Sequence, residues 1–217
     1  MYTAKAGSVN NPTLVVSGIK DRAYVVRNGS VDVLDSKYYT KSIDIKEGET
    51  LTIFVENLGR QYFRIGKDRK ASTFAITFIG ITGRVTLNGH TVEGWTMEVV
   101  PVVENRDVSL VMQLLENRSS PEVPGFFHGR FTLPPGEGII PDTFLDPTGW
   151  KHGVAFINGI NLGRYWPKRG PQVTLYLPGA FMLPYPEVNR LFLLEMEGAP
   201  ENKTVKLVDK HVLNGPV

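Results

Sequence analysis

Alternating apolar and polar positions, in runs of strand length, dominate the chain. The segments 42–46 (SIDIK), 51–56 (LTIFVE) and 173–177 (VTLYL) show the two-residue period or the β-branched and aromatic content of β-strands. Because 22 glycines and 15 prolines are spread over 217 residues, few windows remain for a long helix. The pattern predicts an all-β protein, with one short helix over 108–115 as the best helical stretch.

Three strand-like runs meet an Asn-Gly dipeptide and resume after it. These dipeptides are Asn28-Gly29, Asn88-Gly89 and Asn158-Gly159. Asn-Gly favours the type I′ turn, in which both central residues have positive φ, so each dipeptide predicts a tight β-hairpin. After the first and the third hairpin, two further strand-like runs follow in the same order. We interpret this order as an internal repeat of two β units of about 100 residues each.

The boundary between the two units is predicted in a connector at 102–124. Pro101 ends a strand-like run at 95–100, and the residues that follow are charged and interrupted by proline. The first β-sandwich is therefore assigned to 1–101 and the second to 125–217. Strand-rich units of this size pack as two layers, so antiparallel jelly-roll sandwiches in tandem are the expected architecture.

Composition argues against several classes of partner. The 24 Lys and Arg residues against 22 Asp and Glu give a formal net charge of only +2, which is too little for a nucleic-acid-binding protein. The chain has no cysteine, so it forms no disulfide and no thiolate metal site. No apolar run approaches the roughly 20 residues that span a bilayer, and residues 1–14 lack the pattern of a secretory signal peptide. We expect no nucleic acid and no membrane partner.

The sequence shows no recognisable catalytic machinery. The four histidines are scattered, without a His-x-x-x-His pair, so we expect no metal and no cofactor. His90 and His152 are interpreted as exposed turn residues. A nucleophile elbow and a glycine-rich phosphate loop are also missing from the sequence. Neighbouring carboxylates are interpreted as solvated surface groups: Glu47 with Glu49, Glu104 with Asp107, and Glu195 with Glu197.

Aromatic residues give one indication of a ligand. Trp150, Arg164 and Trp166 are candidate carbohydrate contacts, because sugar-binding sandwiches place an exposed ring against a pyranose and polar groups beside it. The competing interpretation is that the aromatic rings fill the core of the second sandwich, and it is favoured because large aromatics are mostly buried. Arg164 is equally consistent with a buried hydrogen-bonding fork that fixes a loop.

Three Asn-x-Ser/Thr sequons occur at positions expected to face solvent. The candidate N-glycosylation sites are Asn28, Asn117 and Asn202. Sequons also arise by chance, so they give mild support to a parent protein that enters the secretory pathway.

The run at 157–166 (INGINLGRYW), followed by 170–178 (GPQVTLYLP), resembles the C-terminal region of family 35 glycoside hydrolases, the lysosomal-type β-galactosidases and their animal relatives. The first half contains further matching segments in the same order: 21–24 (DRAY), 55–60 (VENLGR) and 94–97 (GWTM). The resemblance extends from about Gly18 to about Pro200.

The resemblance implies a pair of non-catalytic, galactose-binding-like β domains. In this family a (β/α)₈ barrel carries two catalytic glutamates of a retaining mechanism, one of which follows an asparagine. The chain contains no Asn-Glu dipeptide and is too short to include a barrel of roughly 250 residues. We therefore expect the chain to be inactive alone, with the barrel of the same parent polypeptide as its partner and an active site that these domains support and wall.

Further expectations depend on the same resemblance. The first domain is expected to lack its opening strand, and the parent protein is expected in the lysosome or outside the cell. An uncovered barrel-facing surface would favour self-association, so a homo-oligomer is also expected. Two alternative functions stay open. One is a stand-alone carbohydrate-binding module that binds galactosides through Trp150, Arg164 or Trp166, and the other is a ligand-free structural or adhesion sandwich.

Overall fold

The computed structural model describes residues 1–8, 12–27, 30–35, 38–59, 80–98 and 123–215. The chain divides into two compact units, Met1–Val100 and Pro101–Val217. Across the described ranges the regular structure is β-strand with two short 3₁₀ turns, which confirms the predicted all-β class. In the same ranges, no helix has the length and apolar character needed to cross a membrane. The expected helix over 108–115 and nearly all of the predicted connector lie outside the described residues.

The first unit is an antiparallel sandwich. Its strands are β1 (Tyr2–Lys5), β2 (Thr13–Val16), β3 (Ile19–Lys20), β4 (Arg22–Arg27), β5 (Ser30–Asp35), β6 (Thr40–Ser42), β7 (Thr50–Glu56), β8 (Gly80–Ile81), β9 (Val85–Leu87), β10 (His90–Thr91) and β11 (Thr96–Met97). They form the sheets β11-β1-β7-β4-β5 and β10-β9-β2-β6 and the short pair β3-β8. Alternate residues of both larger sheets meet in one core, because successive side chains of a strand point to opposite faces. Its largest members include Leu14, Leu34, Leu51, Ile53 and Leu87.

The second unit has the same architecture. Its strands are β12 (Gly125–Thr132), β13 (Thr143–Asp146), β14 (Gly153–Ile157), β15 (Ile160–Tyr165), β16 (Leu175–Leu177), β17 (Val188–Glu195) and β18 (Lys206–Val208), with 3₁₀ turns at Pro167–Arg169 and Gly179–Phe181. The sheets are β12-β17-β14-β15 and β16-β13-β18. The core between them includes Leu145, Trp150, Tyr165, Leu177 and Leu193. Two antiparallel sandwiches in tandem are therefore confirmed.

The strand orders of the two units reveal the internal repeat. The order β1-β7-β4-β5 in the first unit matches β12-β17-β14-β15 in the second, and β9-β2-β6 matches β18-β13-β16. In both units a hairpin is followed by a strand in the opposite sheet and then by a strand that returns beside the hairpin. The repeat indicated by the sequence is thus a repeat of topology.

The turns and strand ends test the local predictions. Asn88 and Gly89 have φ values of 49° and 84°, and Asn158 and Gly159 have 48° and 82°, so both dipeptides form the expected left-handed turns. The first dipeptide, Asn28-Gly29, lies outside the described residues.

The prediction of a strand over 42–46 is wrong, because the paired strand ends at the first residue of this segment. The ladder of β6 ends at Ser42. Ile43 and Ile45 are nevertheless both only 3% exposed, and their neighbours point to solvent. The Ile43 N–H still donates to the Pro12 carbonyl over 3.0 Å, but residues 43–46 are not part of a strand. The alternation at this segment therefore reflects burial of every second side chain.

Candidate functional site

The hairpin β14–β15 carries the run of residues that matches the family motif. Its register shifts after Ala155, which leaves Leu162 as an extra residue in a β-bulge. The Gly163 N–H donates to Asn161 Oδ1 over 2.7 Å, and Gly163 has a φ of 114°, a backbone conformation that favours glycine. Beyond the bulge, Tyr165 is 1% exposed in the core.

The first unit repeats this turn at the end of β7. The Gly59 N–H donates to Asn57 Oδ1 over 2.8 Å, and Gly59 has a φ of 110°. Asn-Leu-Gly thus adopts one local structure in both units, in which the asparagine side chain replaces a backbone acceptor. The motif is explained by chain geometry without a ligand.

A buried carboxylate lies where this hairpin meets β17. Glu195 has no exposed side-chain surface. It accepts hydrogen bonds from the backbone N–H groups of Lys151 (3.2 Å), His152 (3.1 Å), Glu197 (2.8 Å) and Gly198 (3.0 Å) and from the Tyr165 hydroxyl (3.0 Å). These donors replace the water that an ionised carboxylate needs. The expectation that Glu195 is a solvated surface group is therefore wrong.

The surroundings of Tyr165 raise its pKa above the ordinary value of 10.0. Burial is the largest cause, followed by the charge of Glu195 and by the hydrogen bond to Glu195. Tyr165 therefore stays protonated and acts as a hydrogen-bond donor, not as a base.

Trp166 lies between a buried imidazole and a cation. The ring centroids of His152 and Trp166 are 3.9 Å apart at an interplanar angle of 82°. The guanidinium carbon of Arg169 lies 4.7 Å from the centroid of the Trp166 ring, within cation–π range.

His152 is fully buried, so the expectation of an exposed turn histidine is wrong for this residue. His90 is exposed.

In the first unit, the predicted motif 21–24 also has a structural role. Asp21 Oδ2 accepts from the Leu58 N–H over 3.0 Å, and the Tyr24 hydroxyl donates to Glu56 Oε2 over 2.8 Å. Tyr24 is fully buried. Each unit therefore joins a tyrosine hydroxyl to the glutamate that ends its returning strand, β7 or β17.

Comparison with known proteins agrees with this architecture. Residues 1–102 match the family described as "Beta-galactosidase, first all-beta domain", and residues 124–189 match "Beta-galactosidase, galactose-binding domain". These β domains belong to the β-galactosidase family.

Curated relatives extend the match over most of the chain. Mouse β-galactosidase is 35% identical over 229 residues, which is 94% of this chain and 34% of the mouse protein. Human β-galactosidase is 32% identical and the match covers 93% of this chain and 32% of the human protein. Mouse β-galactosidase-1-like protein is 36% identical, with 91% and 29% covered. The chain thus spans about one third of the length of these relatives.

The structure places the predicted carbohydrate contacts in different environments. Trp150 is 3% exposed, its Nε1–H donates to the Thr204 carbonyl over 2.8 Å, and its ring packs against Phe127 at 4.8 Å. Trp150 therefore belongs to the core, as the favoured interpretation of the sequence had it, and the candidate sugar contact at this residue is corrected. Trp166 is half-buried and Arg164 is exposed.

The candidate glycosylation sites of these domains fall in different parts of the chain. Asn202 is exposed, and its Oδ1 accepts from the Thr204 N–H over 3.3 Å. Asn28 and Asn117 lie outside the described residues. Within the ranges that the structure describes, no group of three or more His, Cys, Asp or Glu side chains is arranged to hold a metal ion.

Sequence reasoning missed the role of Glu195. The available signal was the continuous apolar run that precedes it, 191–194 (LFLL), which is typical of a strand buried on both faces. A glutamate at the end of such a strand is exposed only if the strand leaves the core before it. Two of the donors that satisfy Glu195 come from residues 151–152, more than 40 positions away, and this proximity has no local sequence signature.

Proposed function

We propose that the chain is the non-catalytic β-domain region of a β-galactosidase-like glycoside hydrolase. The parent enzyme would cleave terminal β-galactosides on a catalytic (β/α)₈ barrel of the same polypeptide, and these domains would support that barrel and wall its active site. One observation carries the proposal. The chain matches β-galactosidases and a β-galactosidase-1-like protein along 91–94% of its own length but only 29–34% of theirs, and family models match both of its units.

The structure of the shared motifs supports a role in scaffolding. The segments on which the family resemblance rests form a bulged hairpin, two similar Asn-Leu-Gly turns and a Tyr–Glu contact in each unit, which is fully buried in the second. In unit two, the carboxylate in this contact has its lone pairs occupied by backbone donors, so it is a poor acid or base for a substrate.

Activity of the purified chain tests the non-catalytic assignment. With a chromogenic β-galactoside we expect no turnover above the uncatalysed rate, whereas mouse β-galactosidase assayed alongside is the positive control. Clear hydrolysis by the 217-residue chain would overturn the assignment.

The supporting role needs a longer polypeptide. We expect a parent polypeptide with barrel and β domains to be active, and the barrel expressed without them to lose turnover or thermal stability. A barrel with full activity and an unchanged melting temperature in the absence of these domains would contradict the proposed support.

We also propose that the parent reaches the lysosome or the extracellular space, with a glycan on Asn202. Asn202 is exposed in a polar turn of the second unit. When the chain is expressed in animal cells behind a secretory leader, glycosidase treatment should increase its electrophoretic mobility. Asn202→Gln and Thr204→Ala should remove one glycan, while Thr204→Ser, which keeps the acceptor sequence, should retain it. An unmodified Asn202 in the secreted chain would contradict the glycan.

The alternative of a carbohydrate-binding module built on the predicted tryptophans is not favoured. Trp150 belongs to the core, and the guanidinium of Arg169 lies over the Trp166 ring. Self-association stays a prediction, which light scattering of the purified chain across a concentration series would check.

A further inference from the structure

The three-stranded sheet of the second unit has aromatic side chains on the face opposite its core. Leu145 and Leu175 are 0% and 5% exposed and point into the sandwich. Their strand neighbours Phe144 and Tyr176 are paired directly across β13 and β16, so both point outward. Tyr176 is 51% exposed and Phe144 is half-buried. We refer to Asp142, Phe144, Tyr176 and His211 as the Tyr176 face.

The rings of the Tyr176 face are inclined to one another. The centroids of Phe144 and Tyr176 are 5.7 Å apart at 54°, and those of Phe144 and His211 are 5.8 Å apart at 67°. Coplanar rings would present a long flat surface, which fits an extended polysaccharide. Inclined rings form a corner, which fits the apolar face and edge of a single sugar ring.

A polar edge adjoins the exposed ring. The Tyr176 hydroxyl donates to Asp142 Oδ2, and the Gly179 N–H donates to Asp142 Oδ1 over 2.9 Å. These hydrogen bonds, with that of Tyr176 as the larger cause, lower the pKa of Asp142 below its ordinary value, so this exposed carboxylate is ionised at neutral pH.

The polar edge presents acceptors to a ligand. Each carboxylate oxygen of Asp142 retains a lone pair, and the Tyr176 oxygen, which already donates its proton, can still accept. An ordered acceptor edge beside an apolar ring complements a ligand that has many hydroxyl donors and one apolar face. The negative charge of Asp142 disfavours anionic ligands.

We propose that the Tyr176 face binds a terminal neutral hexopyranose, with the sugar ring stacked on Tyr176 and its hydroxyls bonded to Asp142. This site is separate from Trp150, Arg164 and Trp166. It also goes beyond the proposed function, because it assigns direct sugar binding to the β domains and does not depend on the identity of the parent enzyme.

The proposal is tested by titrating the ¹⁵N-labelled full chain with methyl β-galactopyranoside and recording amide shifts by NMR. We expect saturable shifts at Phe144, Tyr176 and Gly179, with a dissociation constant on the order of 1 mM. Sorbitol, a polyol without a ring face, should cause no saturable shift at these amides. The absence of sugar-dependent shifts, or equal shifts with sorbitol, would overturn the proposal.

Variants locate the site. Tyr176→Ala should weaken sugar binding about tenfold. Tyr176→Phe should weaken it by only a few-fold factor, because the ring remains, and Asp142→Asn should have an effect of the same size as Tyr176→Phe. Tyr39→Ala removes a comparably exposed tyrosine, 46% exposed, from the first unit and should leave binding unchanged. Preserved amide dispersion shows that each variant is folded. The proposal is contradicted if Tyr176→Ala does not weaken sugar binding. It is also contradicted if a barrel domain binds the Tyr176 face and no sugar does.

Discussion

The hydroxyl of Tyr165 donates a hydrogen bond to Glu195 Oε2 over 3.0 Å, between side chains that are 1% and 0% exposed. The contact links the last residue of β15 to the last residue of β17, with β14 between them. Four backbone N–H groups also donate hydrogen bonds to the Glu195 carboxylate. The carboxylate therefore fixes the loops at 151–152 and 197–198 as well. A charged group at the edge of the core thus orders the end of the sandwich.

Replacement of the carboxylate should be strongly destabilising. Glu195→Gln keeps the shape of the side chain but directs an NH₂ group toward backbone N–H donors, which leaves buried donors without an acceptor. We expect a loss of roughly 3 kcal/mol in the free energy of unfolding of the second unit, measured by urea denaturation at pH 7. Glu187→Gln, at an exposed position, is the matched control. Equal stability of the two variants would show that the buried carboxylate is not a stabilising element.

Tyr165 should make the stability of the second unit sensitive to alkaline pH. Its pKa is raised in the fold by burial and by Glu195, whereas in the unfolded chain it ionises near the ordinary value of 10.0. The contribution is therefore fully present below about pH 10 and is lost as the pH rises beyond that value, because only the unfolded state releases the proton.

Tyr165→Phe should remove this dependence. We expect it to lose about 1–2 kcal/mol at pH 7, since a hydrogen bond to a charged group is lost, and to show a flatter decline between about pH 10 and pH 11. Urea midpoints measured at a series of pH values check both effects. Tyr39→Phe, which changes an exposed tyrosine, should follow the unmodified chain. An identical alkaline decline in Tyr165→Phe would contradict the role of this hydroxyl.

The Tyr165–Glu195 contact also requires a glycine between the two strands. Gly153 pairs directly with both Tyr165 and Glu195, and a Cβ at this position would clash with the Leu194 carbonyl oxygen and the Tyr165 hydroxyl. Gly153→Ala should therefore destabilise the second unit by roughly 3 kcal/mol or more.

Gly129→Ala is the control for Gly153→Ala. Gly129 lies in β12 with open space around the position of a Cβ and without a positive φ, so alanine should be neutral or slightly stabilising there. Thermal melting of both variants measures the difference. If Gly153→Ala and Gly129→Ala have similar melting temperatures, β14 can move away from β15 and β17 at little cost, and the requirement for glycine at position 153 is contradicted.

The features predicted correctly from the sequence are those with a local cause. The Asn88-Gly89 and Asn158-Gly159 turns need two adjacent residues that tolerate positive φ, and both form as expected. The run at 51–56 becomes β7 because its alternation matches the pleat of a paired strand. At 42–46 the same alternation misled, since burial of every second side chain does not require a neighbour strand.

The features that were missed depend on residues distant in sequence. Glu195 and His152 meet because segments more than 40 residues apart come together, and the apolar run before Glu195 indicates its burial but not its partners. Trp150 was correctly described only by the interpretation that placed it in the core. The Tyr176–Asp142 contact joins positions 34 residues apart across two strands, so only the register of the sheet reveals it.

A network of two asparagines anchors the segment before β17 to the Asn158-Gly159 turn. Asn189 is fully buried, and its Oδ1 accepts from the Leu183 N–H over 2.8 Å and from Asn158 Nδ2 over 2.9 Å. Its Nδ2 donates to the Leu183 carbonyl over 2.9 Å. Asn158 in turn accepts from the Arg190 N–H over 2.9 Å. Every polar atom of the Asn189 amide group therefore has a partner of the correct polarity.

Two substitutions at this position distinguish the loss of the network from the reversal of one bond. Asn189→Ala should destabilise the second unit by roughly 3 kcal/mol, because the half-buried N–H and carbonyl of Leu183 lose their partner and the Asn158 amide loses one of its two acceptors. Asn189→Asp keeps the acceptor but places a carboxylate oxygen against the Leu183 carbonyl. The folded-state pKa of that introduced carboxyl should be raised by burial and by the carbonyl, so its penalty should shrink as the pH falls toward about 4. Urea denaturation relative to the unmodified chain at pH 7 and pH 4.5 measures this change. Asn202→Asp is the exposed control and should show no comparable pH dependence. If Asn189→Asp lowers the free energy of unfolding by the same amount at both pH values, the assignment of Asn189 Nδ2 as the donor to the Leu183 carbonyl is contradicted.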